Sequence, residues 1–166
     1  MKTFTDAAGR TWTLSLTLGT AMAVKDTLGI DLLQPEIGYP GPDDPPLLTR
    51  LGTDEMLLGE VLCAMLASQF ETHNVTPDDV RNGFDGETLL AAQKAFYEEL
   101  IGFFQSRGRA DRAKAVAAQM KMIDAAVAMI ETRIESLDID LMVATAVNQI
   151  GQNHGPMSGE SPEVSV

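Results

Sequence analysis

Apolar and polar residues alternate over the first sixteen positions of the chain, the pattern of strands with one buried face. The apolar residues of one parity are Phe4, Trp12, Leu14 and Leu16. Between them, residues 6–10 (DAAGR) supply turn-forming side chains, so the segment predicts a β-hairpin. Because two strands alone are marginally stable in water, helices of the same chain or another subunit must cover the apolar face.

A capping residue and a glycine mark the limits of a first predicted helix. Thr17 suits the N-cap, and Gly29 suits the position that follows the last helical residue, Leu28. The hairpin and this helix together make up the predicted N-terminal region, residues 1–34.

Residues 35–53 are predicted to form a Pro/Gly-rich loop. Five of the eight prolines lie between Pro35 and Pro46, a composition that cannot sustain a helix or a central strand. A partner-binding proline segment is the alternative interpretation, but no tight PxxP register with basic flanks supports it.

Residues 54–150 are predicted to form a helical domain. Its first helix, from Asp54 to about Phe70, has apolar residues three and four positions apart. They are Leu58, Val61, Leu62, Met65 and Leu66. Thr76 then caps a short helix with Pro77 at its first position, and a longer helix opens at Asp85 or Gly86 and ends near Gly108.

The last long segment carries an apolar heptad pattern, which we call the seam. Its a positions are Ala113, Met120, Val127, Ile134 and Leu141, and its d positions are Val116, Ile123, Ile130, Leu137 and Ala144. A helix of about 28 residues extends about 40 Å, more than so small a domain easily covers. Either part of the seam contacts another chain, or this is an ordinary core helix that ends near Asp138, where a separate last helix begins. Residues 151–166 are predicted to be a disordered acidic tail.

These elements predict an α+β fold that is mainly α-helical, with a small N-terminal β-hairpin and a long C-terminal helix. The chain has 166 residues, 45% of them hydrophobic, and 24 acidic residues against 12 Lys and Arg give a net charge of −12. This charge repels phosphate backbones and anionic lipids, so we expect no nucleic acid and no membrane among its partners. One cysteine allows no intrachain disulfide, and no signal-peptide-like or spanning apolar stretch occurs, which favours the cytoplasm.

Few residues of this sequence suggest catalysis or metal binding. The only histidines are His73 and His154, and Cys63 lies in an apolar helical stripe that favours a buried structural thiol. Adjacent carboxylates such as Asp78 and Asp79 are interpreted as helix caps and solvated charges. No phosphate-binding glycine motif is present. We therefore expect no catalytic residues, no metal ligands and no cofactor.

Basic residues are concentrated around the turn between the two long helices. Five of the twelve are Arg107, Arg109, Arg112, Lys114 and Lys121, whereas the chain from Asp138 onwards has four acids and no Lys or Arg. One interpretation is a docking site for an acidic partner or for nucleic acid. The other is a solvated face, with Arg107 placed favourably at a helix C-terminus.

Four segments carry a resemblance to a known family: residues 4–12 (FTDAAGRTW), 28–33 (LGIDLL), 75–80 (VTPDDV) and 96–104 (FYEELIGFF). Together they resemble the tail assembly chaperones of tailed phages and prophages, over residues 4–121. The proline-rich insert at 35–46 and the region after Lys121 depart from the family's shorter pattern. The resemblance implies a protein without catalytic residues that binds the tape measure protein in the host cytoplasm until tail-tube subunits replace it.

The candidate partner-binding residues lie on the last long helical segment. Met122 and Met129 are off the seam, where they are either exposed or part of a second buried face, and flexible methionine suits adaptable binding. The seam contributes Ile130, Ile134 and Leu137. The expected partners are the tape measure protein and, as a possible homo-oligomer, further copies of this chain. A structural or oligomeric adaptor retained in the phage particle is the alternative function.

Overall fold

The computed structural model describes residues 1–136 and 139–154. They form strands β1 (Lys2–Thr5) and β2 (Thr11–Leu14) and helices α1 (Leu18–Leu28), α2 (Leu47–Thr53), α3 (Glu55–Leu66), α4 (Pro77–Gly83), α5 (Gly86–Ser106), α6 (Ala110–Ser136) and α7 (Ile139–His154), with a 3-10 turn at Ala67–Gln69. The predicted fold class is confirmed: the chain is mainly helical, with a small N-terminal hairpin and a long C-terminal helix. It divides into two compact units, Met1–Asp124 and the residues from Ala125 onwards.

The N-terminal hairpin is antiparallel, and its apolar face is buried. Phe4 pairs with Trp12 across the two strands, so both side chains lie on one face, and Trp12 and Leu14 are completely buried. Helix α5 packs on β1, while α3 packs on β2. Helices of the same chain therefore cover the face, which resolves the two alternatives left by the sequence.

The hairpin turn is organised by the buried carboxylate of Asp6. One oxygen accepts hydrogen bonds from the backbone N–H groups of Ala8 (3.0 Å) and Arg10 (2.9 Å). The other accepts from Arg10 Nε and from the indole Nε1 of Trp12, each at 2.9 Å. Burial acts to raise the pKa of Asp6, but these hydrogen bonds and the Arg10 charge outweigh it and lower the pKa.

Two side chains satisfy the backbone of the second strand and its extension. Gln69 donates to the carbonyl oxygen of Thr13 (2.7 Å) and accepts from its N–H (3.0 Å). Glu99 of α5 accepts from the Leu16 N–H at 3.0 Å. Adjacent carboxylates were expected to be caps or solvated charges, but Glu99 is buried, because it supplies an acceptor that the chain beyond β2 lacks.

The predicted helix caps are confirmed. Thr17 and Thr76 each form a capping box at the start of α1 and α4, and Asp85 accepts a hydrogen bond from the Thr88 N–H at the start of α5. Gly29 ends α1 with φ of 70°, a left-handed conformation that glycine adopts without steric cost.

The region predicted as one loop, residues 35–53, contains a helix in its second half. Leu47–Thr53 form α2, which buries Leu47, Leu48 and Leu51. Seven residues are too few to show a helical period, and the preceding prolines masked the start. The first half is a tightly folded turn: a Cβ at Gly38 would lie 2.5 Å from the Asp44 carbonyl oxygen.

The C-terminal elements also differ from the predicted boundaries. Helix α6 is described up to Ser136 and α7 from Ile139, and the predicted start of a separate last helix at Asp138 lies outside the described residues. Helix α7 runs to His154, so residues 151–154, predicted as part of a disordered tail, are helical. The rest of that predicted tail lies outside the described residues.

Candidate partner-binding surface

The seam changes from buried to exposed along α6. At its start, Ala113 and Val116 belong to the hydrophobic core. One and two turns later, Met120 and Ile123 are half-buried and pack against that core. The same apolar periodicity therefore serves as core packing in the first half of the helix only.

A glycine in α2 allows the first half of α6 to pack closely. A Cβ at Gly52 would lie 2.6 Å from Gln119 Nε2, 3.3 Å from the Tyr97 hydroxyl and 3.5 Å from Ile123 Cδ1. Burial in this region raises the pKa of Tyr97 to about 12. Gly52 of α2 thus lies against Tyr97 of α5 and against Gln119 and Ile123 of α6, through two polar side-chain ends and one apolar one.

Four of the five predicted partner-binding residues are exposed on α6. The exposed fractions are 66% for Met122, 65% for Met129, 58% for Ile130 and 56% for Ile134. Within the described part of the chain, Met122 and Met129 are therefore exposed and do not form the second buried face that was the alternative. The fifth residue, Leu137, lies outside the described residues.

A second exposed apolar face occurs on α7, which the predictions did not include. Val143, Val147 and Ile150 follow one another at spacings of four and three residues, so they share one side of the helix. All three are more than half exposed, as is Met142. Residues 141–150 contain no charged side chain. The spacing is present in the sequence, but the seam continues the heptad of α6 through Leu141 and Ala144 and does not include these three residues.

Charged residues flank the exposed part of the seam unevenly. Residues 124–136 contain three acids, Asp124, Glu131 and Glu135, and one base, Arg133. An apolar helix with a net acidic surround can bind an apolar segment while still repelling other acidic chains.

The basic residues near the turn between α5 and α6 are partly engaged in the fold. Arg112 donates to the Leu33 carbonyl oxygen (2.6 Å) and to Glu36, and its guanidinium lies 5.8 Å from the centre of the Phe104 ring. The interpretation as a solvated face therefore does not apply to Arg112, which links α6 to the chain leading into the proline-rich turn.

Two residues considered for catalysis or metal binding, Cys63 and His73, pack within the fold. Cys63 is half-buried, and burial raises the pKa of its thiol. His73 packs on Trp12, with ring centres 4.5 Å apart. Among residues 1–136 and 139–154, no three His, Cys, Asp or Glu side chains are grouped to hold a metal ion. No described helix combines the length and apolarity needed to cross a membrane.

Comparisons with known proteins gave no significant match: no family model, no curated protein and no solved structure is similar to this chain.

Proposed function

We propose that this chain is a non-enzymatic tail assembly chaperone that binds the tape measure protein in the host cytoplasm during phage tail morphogenesis. The observation that carries the proposal is the exposure of apolar side chains on α6: Met129, Ile130 and Ile134 in the second compact unit, and Met122 near the end of the first. The resemblance of residues 4–121 to tail assembly chaperones supplies the identity of the client.

An exposed apolar stripe on a helix suits a helical client. Each apolar side chain that becomes covered contributes about 25 cal/mol per Å² removed from water, and helices bind one another through residues three, four and seven positions apart. Ile130 and Ile134 supply such spacing, while Met122 and Met129 offer side chains that adapt to different client residues. The net charge of −12 opposes association between chaperone molecules that are loaded with client.

The second candidate is a structural or oligomeric adaptor that stays in the particle. The regular heptad from Ala113 to Leu141 favours it, because such repeats pair identical helices. Mass analysis of purified virions separates the two functions: a chaperone is absent from the particle, whereas an adaptor is present at fixed stoichiometry.

Co-expression with the tape measure protein encoded by the same phage or prophage tests the proposal. The double variant Ile130→Asp with Ile134→Asp places charge on the exposed seam, and Ala128→Asp, at an exposed position on the other side of the same helix, is the matched control. We expect the native chain and the control to keep the client in the supernatant after centrifugation and to co-purify with it, and the double variant to lose both properties. A client that is equally insoluble with and without the native chain would contradict the proposal.

Light scattering of the chain alone addresses its possible homo-oligomer. If the seam pairs two copies, Ile130→Asp converts the oligomer to a monomer while Ala128→Asp leaves the mass unchanged. A monomeric native chain instead leaves the seam free for the client.

A further inference from the structure

A cleft of about 510 Å³ lies in the first compact unit, at the turn between α5 and α6. Its residues fall into two chemical groups. The apolar lining comprises Leu18, Leu33, Phe103 and Phe104, and the basic lining comprises Arg107, Arg109 and Arg112. We call it the arginine cleft. A chain with a net charge of −12 thus concentrates three guanidinium groups around one apolar depression.

The turn that builds this cleft is defined by its hydrogen bonds. Gly108, with φ of 71°, ends α5 in the left-handed conformation. The Gly108 N–H donates to the Gln105 carbonyl oxygen (3.1 Å) and the Arg109 N–H to that of Phe104 (2.8 Å), the pattern of a Schellman motif. It fixes the backbone on both sides of the glycine, so Arg107 and Arg109 are held beside the same depression.

The three arginines differ in how far the fold engages them. Arg112 is bound to Leu33 and Glu36 and has a structural role. Arg109 forms a two-pronged hydrogen bond with Asp111 at 2.9–3.0 Å, between exposed side chains. Arg107 is exposed and makes no ion pair with any residue that the structure describes. Two guanidinium groups are therefore accessible to a ligand. Arg107 can bind the ligand directly, and Arg109 can bind it when the ligand's carboxylate replaces that of Asp111.

We propose that the arginine cleft binds an acidic peptide segment of a partner protein, with an aromatic or aliphatic side chain on Phe103 and Leu18 and carboxylates on Arg107 and Arg109. Charge complementarity selects the carboxylates, since arginine pairs with them through two parallel hydrogen bonds. The apolar lining selects the anchor side chain. A nucleic acid matches less well, because its extended phosphate backbone reaches beyond the cleft and is repelled by a chain with a net charge of −12. This site is separate from the exposed seam and does not depend on the proposed chaperone function.

Binding of a defined probe to the full chain tests the site. The probe is a fluorescein-labelled octapeptide of alternating glutamate and phenylalanine, and the comparison ligands are its glutamine counterpart and a labelled single-stranded oligodeoxynucleotide of eight thymidines. Fluorescence anisotropy at low and moderate salt gives the affinities. We expect the acidic peptide alone to bind, and its affinity to fall as salt is raised.

Charge variants locate the binding. Arg107→Glu with Arg109→Glu weakens binding of the peptide about tenfold, because two exposed ion pairs with its carboxylates are lost. Lys114→Glu, at an exposed basic residue of α6, has no comparable effect. Asp111→Asn releases Arg109 and tightens binding severalfold, a gain that misfolding cannot produce, and Asp124→Asn is its control. An equal loss of peptide affinity in Lys114→Glu would show that binding depends only on the net charge of the chain, and it would overturn the proposal.

The apolar lining has its own pair of variants. Leu18, 64% exposed at the cleft, is changed to Gln, and Leu90, 48% exposed near the other end of α5, is changed to Gln as control. We expect Leu18→Gln, but not Leu90→Gln, to weaken binding of the peptide. Absence of peptide binding at millimolar concentration, or tighter binding of the oligodeoxynucleotide than of the peptide, would overturn the proposal.

Discussion

The substitution Asp6→Asn tests how the hairpin is held on the helices. Asp6 accepts four hydrogen bonds, two on each carboxylate oxygen. An asparagine keeps one oxygen and replaces the other with an NH₂ group. In either orientation the amide nitrogen faces two donors, the N–H groups of Ala8 and Arg10 or the Trp12 Nε1 and Arg10 Nε groups. Two of the four bonds to a charged acceptor are therefore lost.

The expected cost follows from those two bonds. Hydrogen bonds to charged groups contribute about 1.5–3 kcal/mol each, and removal of one partner from a buried ion pair costs about 3–5 kcal/mol. The Asp6 side chain is fully buried in its pair with Arg10. We therefore expect Asp6→Asn to lower the free energy of unfolding by about 3–5 kcal/mol, a large part of the about 5–15 kcal/mol typical of a domain.

The pH dependence has a defined sign. Because the pKa of Asp6 is lower in the folded chain than in the unfolded one, its contribution is complete above the unfolded value of about 4. The contribution is lost as the pH falls through the folded pKa. The difference in stability between the native chain and Asp6→Asn should therefore be constant from about pH 5 to 8 and shrink below about pH 4.

Urea unfolding followed by fluorescence measures both effects. Trp12 is the single tryptophan and is completely buried, so its emission reports the hairpin directly. Asp26→Asn, an exposed carboxylate on α1, is the control and should change stability by less than about 0.5 kcal/mol. A loss below about 1 kcal/mol for Asp6→Asn, or a loss that persists unchanged at pH 3, would refute the assigned role of the carboxylate.

Three further predictions concern glycines and the thiol. Gly83→Ala should destabilise the chain by about 1–3 kcal/mol, because its Cβ would lie 2.6 Å from Arg10 Nη2 and 3.0 Å from Asp6 Oδ2; an unchanged urea midpoint would contradict this. Both Gly108 and Gly59 have room for a Cβ, but of the two only Gly108 has positive φ. Gly108→Ala should therefore lower the free energy of unfolding by about 1 kcal/mol, whereas Gly59→Ala should raise it by about 0.5–1 kcal/mol. Melting temperatures that shift in the same direction for both variants would contradict this prediction. Cys63 should react slowly with a thiol reagent at pH 8 and rapidly in urea, because burial raises its pKa; equal rates would show an exposed thiolate.

Local signals in the sequence predicted the hairpin, the fold class and the starts of α1, α4 and α5. Thr17, Gly29 and Thr76 act on backbone groups within four residues, so their roles can be assigned without knowledge of the tertiary structure. The burial of Phe4 and Trp12 followed from strict alternation. These features depend on neighbours along the chain.

Features that depend on distant residues were missed. The buried Glu99 accepts a hydrogen bond from the backbone N–H of Leu16, which lies 83 positions earlier in the chain. Arg112 donates hydrogen bonds to Leu33 and Glu36 across a similar separation. Helix α2 forms where its leucines reach the core, although its sequence is short and follows prolines. Such tertiary contacts override local composition.

The candidate surface was partly predictable for the same reason. The heptad identified which residues of α6 share a face, and Ile130 and Ile134 lie on it. The pattern alone did not show where burial ends, because core packing and partner binding use the same spacing. That distinction required the exposures of Val116 and Ile130, which are 0% and 58%.

Hydrogen–deuterium exchange of the chain, alone and co-purified with its tape measure protein, tests the central claim most directly. If the exposed part of α6 binds the client, peptides covering residues 122–136 become strongly protected in the complex, while those covering residues 86–106 of α5 change little. Failure to form the complex, or protection confined to regions other than 122–136, would contradict the account.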